Sequence, residues 1–329
     1  MTIQVVCYGL GPIGIGIARL ALARPGIAVV GAIDLDSQKV GRDLGTLAGG
    51  AELGVIVSDD AAATLAQARP DVVLHATSSS LTKVAEQLAQ IAEYGAHVVS
   101  TCEELAYPWT AQPQLAAELD SAARRAGVTL LGTGVNPGYA MDALPLMLTA
   151  PCAAVRVVRV LRVVDAARRR GPLQRKVGAG LTPAEFEARV RDGTVRHVGL
   201  PESLHMLATR LGWRLDKMDD TIAAVLADQP IVTDFVQVAA GQVAGVRQIA
   251  RGFVAGREVL RLELQMYVGA PNPRDSVEID GDPPVRMTME GGLHGDVATA
   301  AIVVNATSSV MRSAPGLASM AEVPLVHFW

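Results

Sequence analysis

The chain is predicted to be α/β: a doubly wound parallel sheet, then a second α+β domain with a largely antiparallel sheet. Three observations carry that expectation. Apolar, β-branched runs alternate with helical stretches from Ile3 to about Leu131, the pattern of a parallel sheet wrapped by helices. The first run breaks into glycines spaced G-x-G-x-x-G. Beyond about residue 150 the alternation gives way to long strand-like runs.

Ile3-Gln4-Val5-Val6-Cys7-Tyr8 reads as the first strand, Gly9 to Gly14 as a tight turn, and Ile15, Ile17, Ala18, Leu20 and Ala21 as the apolar face of a helix. In such a turn Gly9 permits the reversal, Gly11 lets backbone approach a pyrophosphate, and Gly14 lets helix pack on strand. The helix start, with Pro12 and Ile13, offers unpaired N–H groups to phosphate. Val29 to Asp34 is a second buried strand ending in an acid. Asp34 lies about 20 residues beyond the last glycine, the spacing of a ribose-binding carboxylate. Gly9, Gly11, Pro12, Ile13, Gly14 and Asp34 are therefore expected to bind a dinucleotide in the Rossmann manner. Asp34 favours NAD; Lys39 and Arg42 follow closely enough to make NADP use possible.

Further strands are expected at Gly54 to Val57, Asp71 to Thr77, Gly95 to Thr101 and Val128 to Leu131. Helices are expected at Ala61 to Leu65, Leu81 to Tyr94 and Gln112 to Ala126. Ligands of such sheets sit beyond the carboxyl ends of the strands, which places Thr77, Ser78 and Thr101 near the cofactor. Ordinary turn and cap chemistry is the competing explanation for those three.

Gly132 to Tyr139 is a loop by composition and Met141 to Leu148 a short helix, so the hinge is placed here. Residues 1–140 form the expected dinucleotide-binding domain and 141–294 a substrate and dimerisation domain. Val155 to Val164 alternates as a long strand, and Asp165 to Gly180 is a basic, glycine-bearing loop. Thr182-Pro183-Ala184-Glu185 opens a helix with a capping box, and Pro201 to Leu211 is another. Thr221 to Leu226, Ile231 to Ala239 and Val259 to Val268 are read as strands, with turns at Pro271, Pro273, Pro283 and Pro284. His294-Gly295-Asp296 then opens an apolar helix, Val297 to Arg312. It needs a surface to pack on, and residues 295–329 are expected to return to the first domain.

Ser100-Thr101-Cys102-Glu103-Glu104-Leu105 is the sharpest chemical candidate. Two acids directly follow a central strand, where a nicotinamide ring should lie. Carboxylates are uncommon in such places unless solvated, paired or catalytic. Both could instead begin a helix, where negative charge suits the dipole. The expectation is one structural acid and one functional. Cys102 invites a thiolate reading, but two neighbouring carboxylates oppose ionisation, so a buried inert thiol is expected. Asp296 is read as a helix cap, His294 as support for its loop, and Arg168 to Lys176 as an exposed charged loop. No metal constellation stands out.

A net charge of −4 argues against nucleic acid as the main partner. No apolar run reaches the ~18 residues of a membrane helix. Three scattered cysteines and no basic leader ahead of the first strand point to a reduced, cytoplasmic setting.

Taken together, the motif ending in Asp34, the Ser-Thr-Cys-Glu-Glu-Leu turn, Gly132-Thr133-Gly134-Val135-Asn136-Pro137-Gly138 and His294-Gly295-Asp296-Val297-Ala298-Thr299 resemble the 2,4-diaminopentanoate dehydrogenases and native amine dehydrogenases. These are distant relatives of dihydrodipicolinate reductase. Pro172 to Thr182 also looks familial. The resemblance covers most of the chain. It implies NAD(P)-linked oxidative deamination of an amine or, in reverse, reductive amination of a ketone or aldehyde with ammonia, by a homodimer. It puts the catalytic glutamate at Glu104 and lines the substrate pocket with Asn136, Met141 and Thr299. The alternatives are a dihydrodipicolinate reductase-like imine reductase and a non-catalytic dinucleotide sensor.

Overall fold

The computed structural model describes residues 2–329, which divide into two compact units: residues 2–139 with His294–Trp329, and Ala140–Leu293. In the first unit the chain runs β1 (Ile3–Tyr8), α1 (Pro12–Ala23), β2 (Ile27–Ile33), α2 (Leu44–Leu47), β3 (Val57–Ser58), α3 (Ala61–Ala68), β4 (Val72–His75), α4 (Leu81–Glu93), β5 (His97–Ser100), a 3₁₀ turn (Glu103–Ala106), α5 (Pro113–Ala126) and β6 (Thr129–Gly132). Local chemistry sets the helix ends. The Asp60 side chain accepts from Ala63 N to start α3, Pro113 occupies the first turn of α5, and Gly127 ends α5 at φ 74°.

The strands are buried on both faces, so their side chains alternate between two cores. From β1, Val5 and Cys7 join one cluster, and Val6 and Tyr8 the other. Leu81, Val84, Leu88 and Ile91 on α4 meet the second cluster at helical spacing, as do Ala116, Leu119 and Ala123 on α5. Each fully buried valine or leucine contributes about 1.5–3 kcal/mol.

The second unit opens with α6 (Ala143–Leu148), capped by Asp142, whose other oxygen accepts from the Ser203 hydroxyl at 2.7 Å. Then come β7 (Ala154–Asp165), α7 (Gly171–Lys176), α8 (Pro183–Arg191), α9 (Leu200–Arg210), β8 (Lys217–Leu226), β9 (Ile231–Val232), β10 (Gln237–Val238), β11 (Val243–Val254), β12 (Arg257–Tyr267), β13 (Arg274–Asp282) and β14 (Val285–Glu290). The capping box of α8 is present in full. Six strands form one sheet in the order β14-β13-β7-β12-β11-β8, antiparallel except for β7 beside β12.

Two expectations need correction here. Ile231 to Ala239 is not one strand. The Thr233 hydroxyl accepts from Phe235 N and Val236 N, which turns the chain and leaves a two-residue pair of β9 and β10. Asp165 to Gly180 is not all loop either, since Pro172 starts the one-and-a-half-turn α7. In that segment Arg168 is exposed beside Asp165, whereas Arg169 is buried.

The chain re-enters the first unit with α10 (Gly295–Val310) and β15 (Gly316–Ala318). Ala300, Val303, Val304, Ala306 and Val310 of α10 share a core with Ile17, Ala18 and Ala21 of α1. The finished sheet is parallel throughout, in the order β15-β6-β5-β4-β1-β2-β3. Among the described residues no helix is long and apolar enough to cross a membrane, and no group of three or more His, Cys, Asp or Glu could hold a metal.

Candidate active site at the carboxyl edge of the parallel sheet

Backbone pairing continues past the strand ends and brings their carboxyl-terminal residues into line. Gly9 N donates to Ile33 O, Ala76 N to Tyr8 O, Thr101 N to His75 O and Thr133 N to Ser100 O. Gly9, Thr77, Thr101 and the loop after Gly132 thus leave the sheet along one edge.

The glycine turn is shaped for close approach. Gly9 has φ +88°, and a Cβ there would stand 2.6 Å from Ala76 O. A Cβ on Gly14 would stand 1.8 Å from Gly9 O, so helix and turn touch backbone to backbone. A Cβ on Gly11 would meet nothing within 4 Å. Gly11 therefore keeps open space in front of α1, whose first N–H groups, those of Ile13 and Gly14, lack intrahelical partners. This cradle and the acid beside it fit the pyrophosphate and ribose of a dinucleotide.

Asp34 is tied to that turn. One carboxylate oxygen accepts from Leu10 N and stands 3.4 Å from the Lys39 ammonium, and the other accepts from Asp36 N at 2.8 Å. Lys39 also reaches Asp36 at 3.0 Å. Burial works against the Lys39 charge, but Asp36 and Asp34 outweigh it and hold the ammonium above its ordinary pKa.

Glu104 sits in the 3₁₀ turn after β5. Its Oε2 accepts from Leu81 N at the start of α4 at 2.7 Å and from the Gln112 amide at 2.9 Å. Oε1 makes no hydrogen bond among the described residues. The carboxylate is thus anchored by one oxygen only. Gly132 makes the turn possible, because a Cβ there would stand 2.5 Å from the Leu105 carbonyl carbon. Cys102 donates its thiol to Ser79 O at 3.3 Å, and burial, aided by the charges of Glu103 and Glu104, pushes it up to about 12. It is not a thiolate nucleophile.

Beneath this turn lies a polar network that the sequence reading missed. His75 is fully buried. Its Nε2 meets Gln87 Oε1 at 2.9 Å and Thr77 Oγ1 at 3.0 Å, and its Nδ1 meets Ser100 Oγ at 2.8 Å. Cys102 N donates to the same Ser100 Oγ at 3.1 Å. One tautomer satisfies the set: Nε2–H faces the Gln87 carbonyl, and Nδ1 accepts the serine proton. Burial drives the His75 pKa down to about 4, so the ring is neutral near pH 7. A histidine inside an otherwise apolar strand was the available signal.

The other expected residues fall as follows. The Thr77 hydroxyl belongs to the His75 network, and Ser78 Oγ accepts from Ser80 N at 3.2 Å, which is turn chemistry. Asn136 is buried in the loop after β6. In that loop Val135 N donates to the Thr299 hydroxyl of α10 at 3.2 Å. Met141 is buried in the second unit. His294 is the N-cap residue of α10, and Asp296 lies in its first turn.

Residues 139–329 match the family model of the 2,4-diaminopentanoate dehydrogenase C-terminal domain. The chain belongs to that family. Residues 3–104 match the dihydrodipicolinate reductase N-terminus, in keeping with the parallel sheet of this 2,4-diaminopentanoate dehydrogenase family member. The 2,4-diaminopentanoate dehydrogenase of Acetoanaerobium sticklandii is 31% identical over 343 residues, covering 98% of this chain and 94% of the relative. An amine dehydrogenase of Streptomyces virginiae is 28% identical, covering 98% and 96%. The amine dehydrogenase structure from Mycobacterium smegmatis superposes with a TM-score of 0.88 at 30% identity, covering 100% of this chain and 98% of that one.

Proposed function

We infer that this protein is an NAD(P)-dependent amine dehydrogenase. It is an oxidoreductase that deaminates a small amine oxidatively and, in reverse, aminates a ketone or aldehyde with ammonia. The observation that carries this reading is a glutamate anchored by one oxygen at the carboxyl edge of a dinucleotide-type sheet, in a chain whose relatives are amine dehydrogenases. When bound, the nicotinamide supplies or accepts the hydride.

The chain's own residues hold the dinucleotide and move protons. Gly9, Gly11, Pro12, Ile13 and Gly14 cradle the pyrophosphate, Asp34 takes the adenosine ribose, and Thr77, Ser78 and Thr101 line the edge leading to Glu104. Ammonium must lose a proton before its nitrogen can attack a carbonyl, and Glu104 Oε1 accepts it. The resulting carbinolamine must expel water, and the protonated Glu104 donates to the departing hydroxyl. Oxidative deamination runs the same exchange backwards. The Leu81 N–H and the Gln112 amide keep the carboxylate in one orientation throughout, so little ordering entropy remains to be lost in the transition state. Asn136 and Thr299, both in the first unit, take the carbon skeleton.

The reading extends to a cytoplasmic homodimer. The dimer is supported by the long strands β7, β11 and β12 of the second unit, which offer a sheet that a second copy can stack on, and the cytoplasmic setting by the three unpaired cysteines. A two-fold axis makes such a contact self-complementary, the same patch serving on both copies.

The test is NADH oxidation by the purified protein with a panel of small ketones and aldehydes, with and without ammonium. Turnover that requires both carbonyl and ammonium is expected. Turnover of a cyclic imine dicarboxylate with no need for ammonium would make it an imine reductase. NADH binding with no turnover of any carbonyl would make it a sensor.

A further inference from the structure

The parallel sheet has a second edge, and a cleft lies against it. At the amino ends of β4 and β5, away from Thr77 and Thr101, the first unit opens a cavity of about 620 Å³. That is within the ~300–1,000 Å³ of small-molecule sites. Three helices end on it. Arg69, Tyr94 and Met311 line the cleft, and they are the C-cap residues of α3, α4 and α10. The last turn of a helix leaves carbonyls without intrahelical partners and carries partial negative charge, so basic side chains are favoured there. None of these three last turns has one. The last residue of α4 is instead an acid, Glu93, which lines the cleft together with Asp71. Negative charge is thus gathered where the helix ends already disfavour it, and a ligand cation would relieve it.

The same cleft holds two donors. The Arg69 guanidinium makes no hydrogen bond or ion pair among the described residues, and neither does the Glu93 carboxylate. His97 Nδ1 accepts from Thr129 N at 3.0 Å, which puts the ring proton on Nε2. Burial outweighs the nearby Asp71 charge and lowers the His97 pKa below its ordinary 6.5, so the neutral ring keeps Nε2–H as a fixed donor near pH 7. Nε2 has no partner among the described residues. Asp71 spends Oδ2 on Gln4 N at 2.7 Å and leaves Oδ1 without a hydrogen bond. Buried Leu65 and Pro70 and half-buried Met311 supply an apolar wall. Acceptors for a cation, donors for an anion and an apolar surface therefore share one cavity.

We propose that this cleft is a second ligand site, one that takes a zwitterionic amino acid with an apolar side chain. The ammonium is held by Asp71, Glu93 and the helix ends, the carboxylate by Arg69 and His97 Nε2–H, and the side chain by Leu65, Pro70 and Met311. No bond is made or broken there, and the site stands independently of the amine dehydrogenase reading.

The test is calorimetric titration of the full chain, with NADH present, by three matched probes. These are L-leucine, 3-methylbutylamine, which lacks the carboxylate, and 4-methylpentanoate, which lacks the ammonium. Leucine should bind once per chain and roughly tenfold or more tighter than either fragment, the scale of one charge-assisted hydrogen bond. Arg69→Gln and Glu93→Gln should each weaken leucine by about tenfold. Their melting temperatures should match wild type, since both side chains are exposed and bond nothing in the protein. Glu104→Gln, at the other edge of the sheet, should leave leucine affinity unchanged. Absence of leucine binding would overturn the proposal, as would equal affinity for the amine or the acid alone. A loss of leucine confined to Glu104→Gln would put the amino acid at the carboxyl edge and overturn it too.

Discussion

Protonation of His75 should make the first unit acid-sensitive in a way that one substitution removes. The ring is fully buried, its two nitrogens are engaged by Ser100 and by Gln87 with Thr77, and burial lowers its pKa from 6.5 to about 4. In the unfolded chain the same ring takes up a proton at an ordinary pKa of about 6.5. Its neutral burial is therefore without penalty above about pH 6.5, and stability is lost as pH falls from there towards about 4. The difference in proton uptake costs the folded state about 2 kcal/mol at pH 5 and about 3 kcal/mol near pH 4. Burial also lowers the pKa values of His97 and His205, so the wild-type curve alone would mix several groups. The informative quantity is the stability difference between wild type and His75→Gln, which keeps an amide donor for Gln87 but does not titrate. Urea unfolding of both proteins across pH 4 to 8 should show His75→Gln destabilised by a constant amount above about pH 7. That deficit should shrink by about 3 kcal/mol on acidification. A difference that stays flat down to pH 4 would mean that the buried imidazole is not neutral in the folded protein.

Two further perturbations separate shape from binding. Gly11→Ala puts a methyl into open space and should leave the melting temperature within about 2 °C while weakening NADH binding at least tenfold, whereas Gly14→Ala forces α1 off Gly9 O and should lower stability by several kcal/mol; thermal melts with NADH titrations check both, and unchanged NADH affinity in Gly11→Ala would refute the cradle. In the second unit Arg162 and Asp275 form a buried pair at 2.7 Å, and both hold Leu293 through its carbonyl and its N–H. Asp275→Ala strands the guanidinium and should cost about 3–5 kcal/mol in chemical denaturation, with Arg162→Met added to it restoring part of the loss; a loss below about 1 kcal/mol would mean that water reaches the pair.

The parallel sheet was legible because each strand is short, apolar and separated by a helix with its own punctuation: Gly9 to Gly14, Asp60 and Pro113 all do what their residue types suggest. β15 was not, since three residues that pair with β6 only after the chain returns carry no periodic signal. In the second unit β11 went unread because Arg247, Gln248 and Arg251 interrupt its apolar run; Gln248 is buried yet bonded to Asp220 and His197. The opposite error arose at Ile231 to Ala239, where strand-forming residues surround a threonine that turns the chain. At the site, spacing placed Asp34 beside the glycine turn, but no spacing rule shows that Lys39 would pair with it. Nor could it show that Gln112 and Leu81 would anchor Glu104, because those contacts join segments distant in sequence.

The comparison that bears most directly on the proposed chemistry is between Glu104→Gln and its neighbour Glu103→Gln, assayed for steady-state turnover and for NADH binding. Glu104→Gln keeps a group of the same shape but cannot exchange a proton, so turnover of carbonyl with ammonium should fall by about 10²–10⁴. NADH affinity should change little, because the proposed dinucleotide contacts are those of Gly9 to Gly14 and Asp34. Glu103→Gln should retain most turnover. If Glu104→Gln turns over at a near-normal rate while Glu103→Gln does not, the proton passes through the first acid of the pair, and Glu104 serves only to hold the turn against α4.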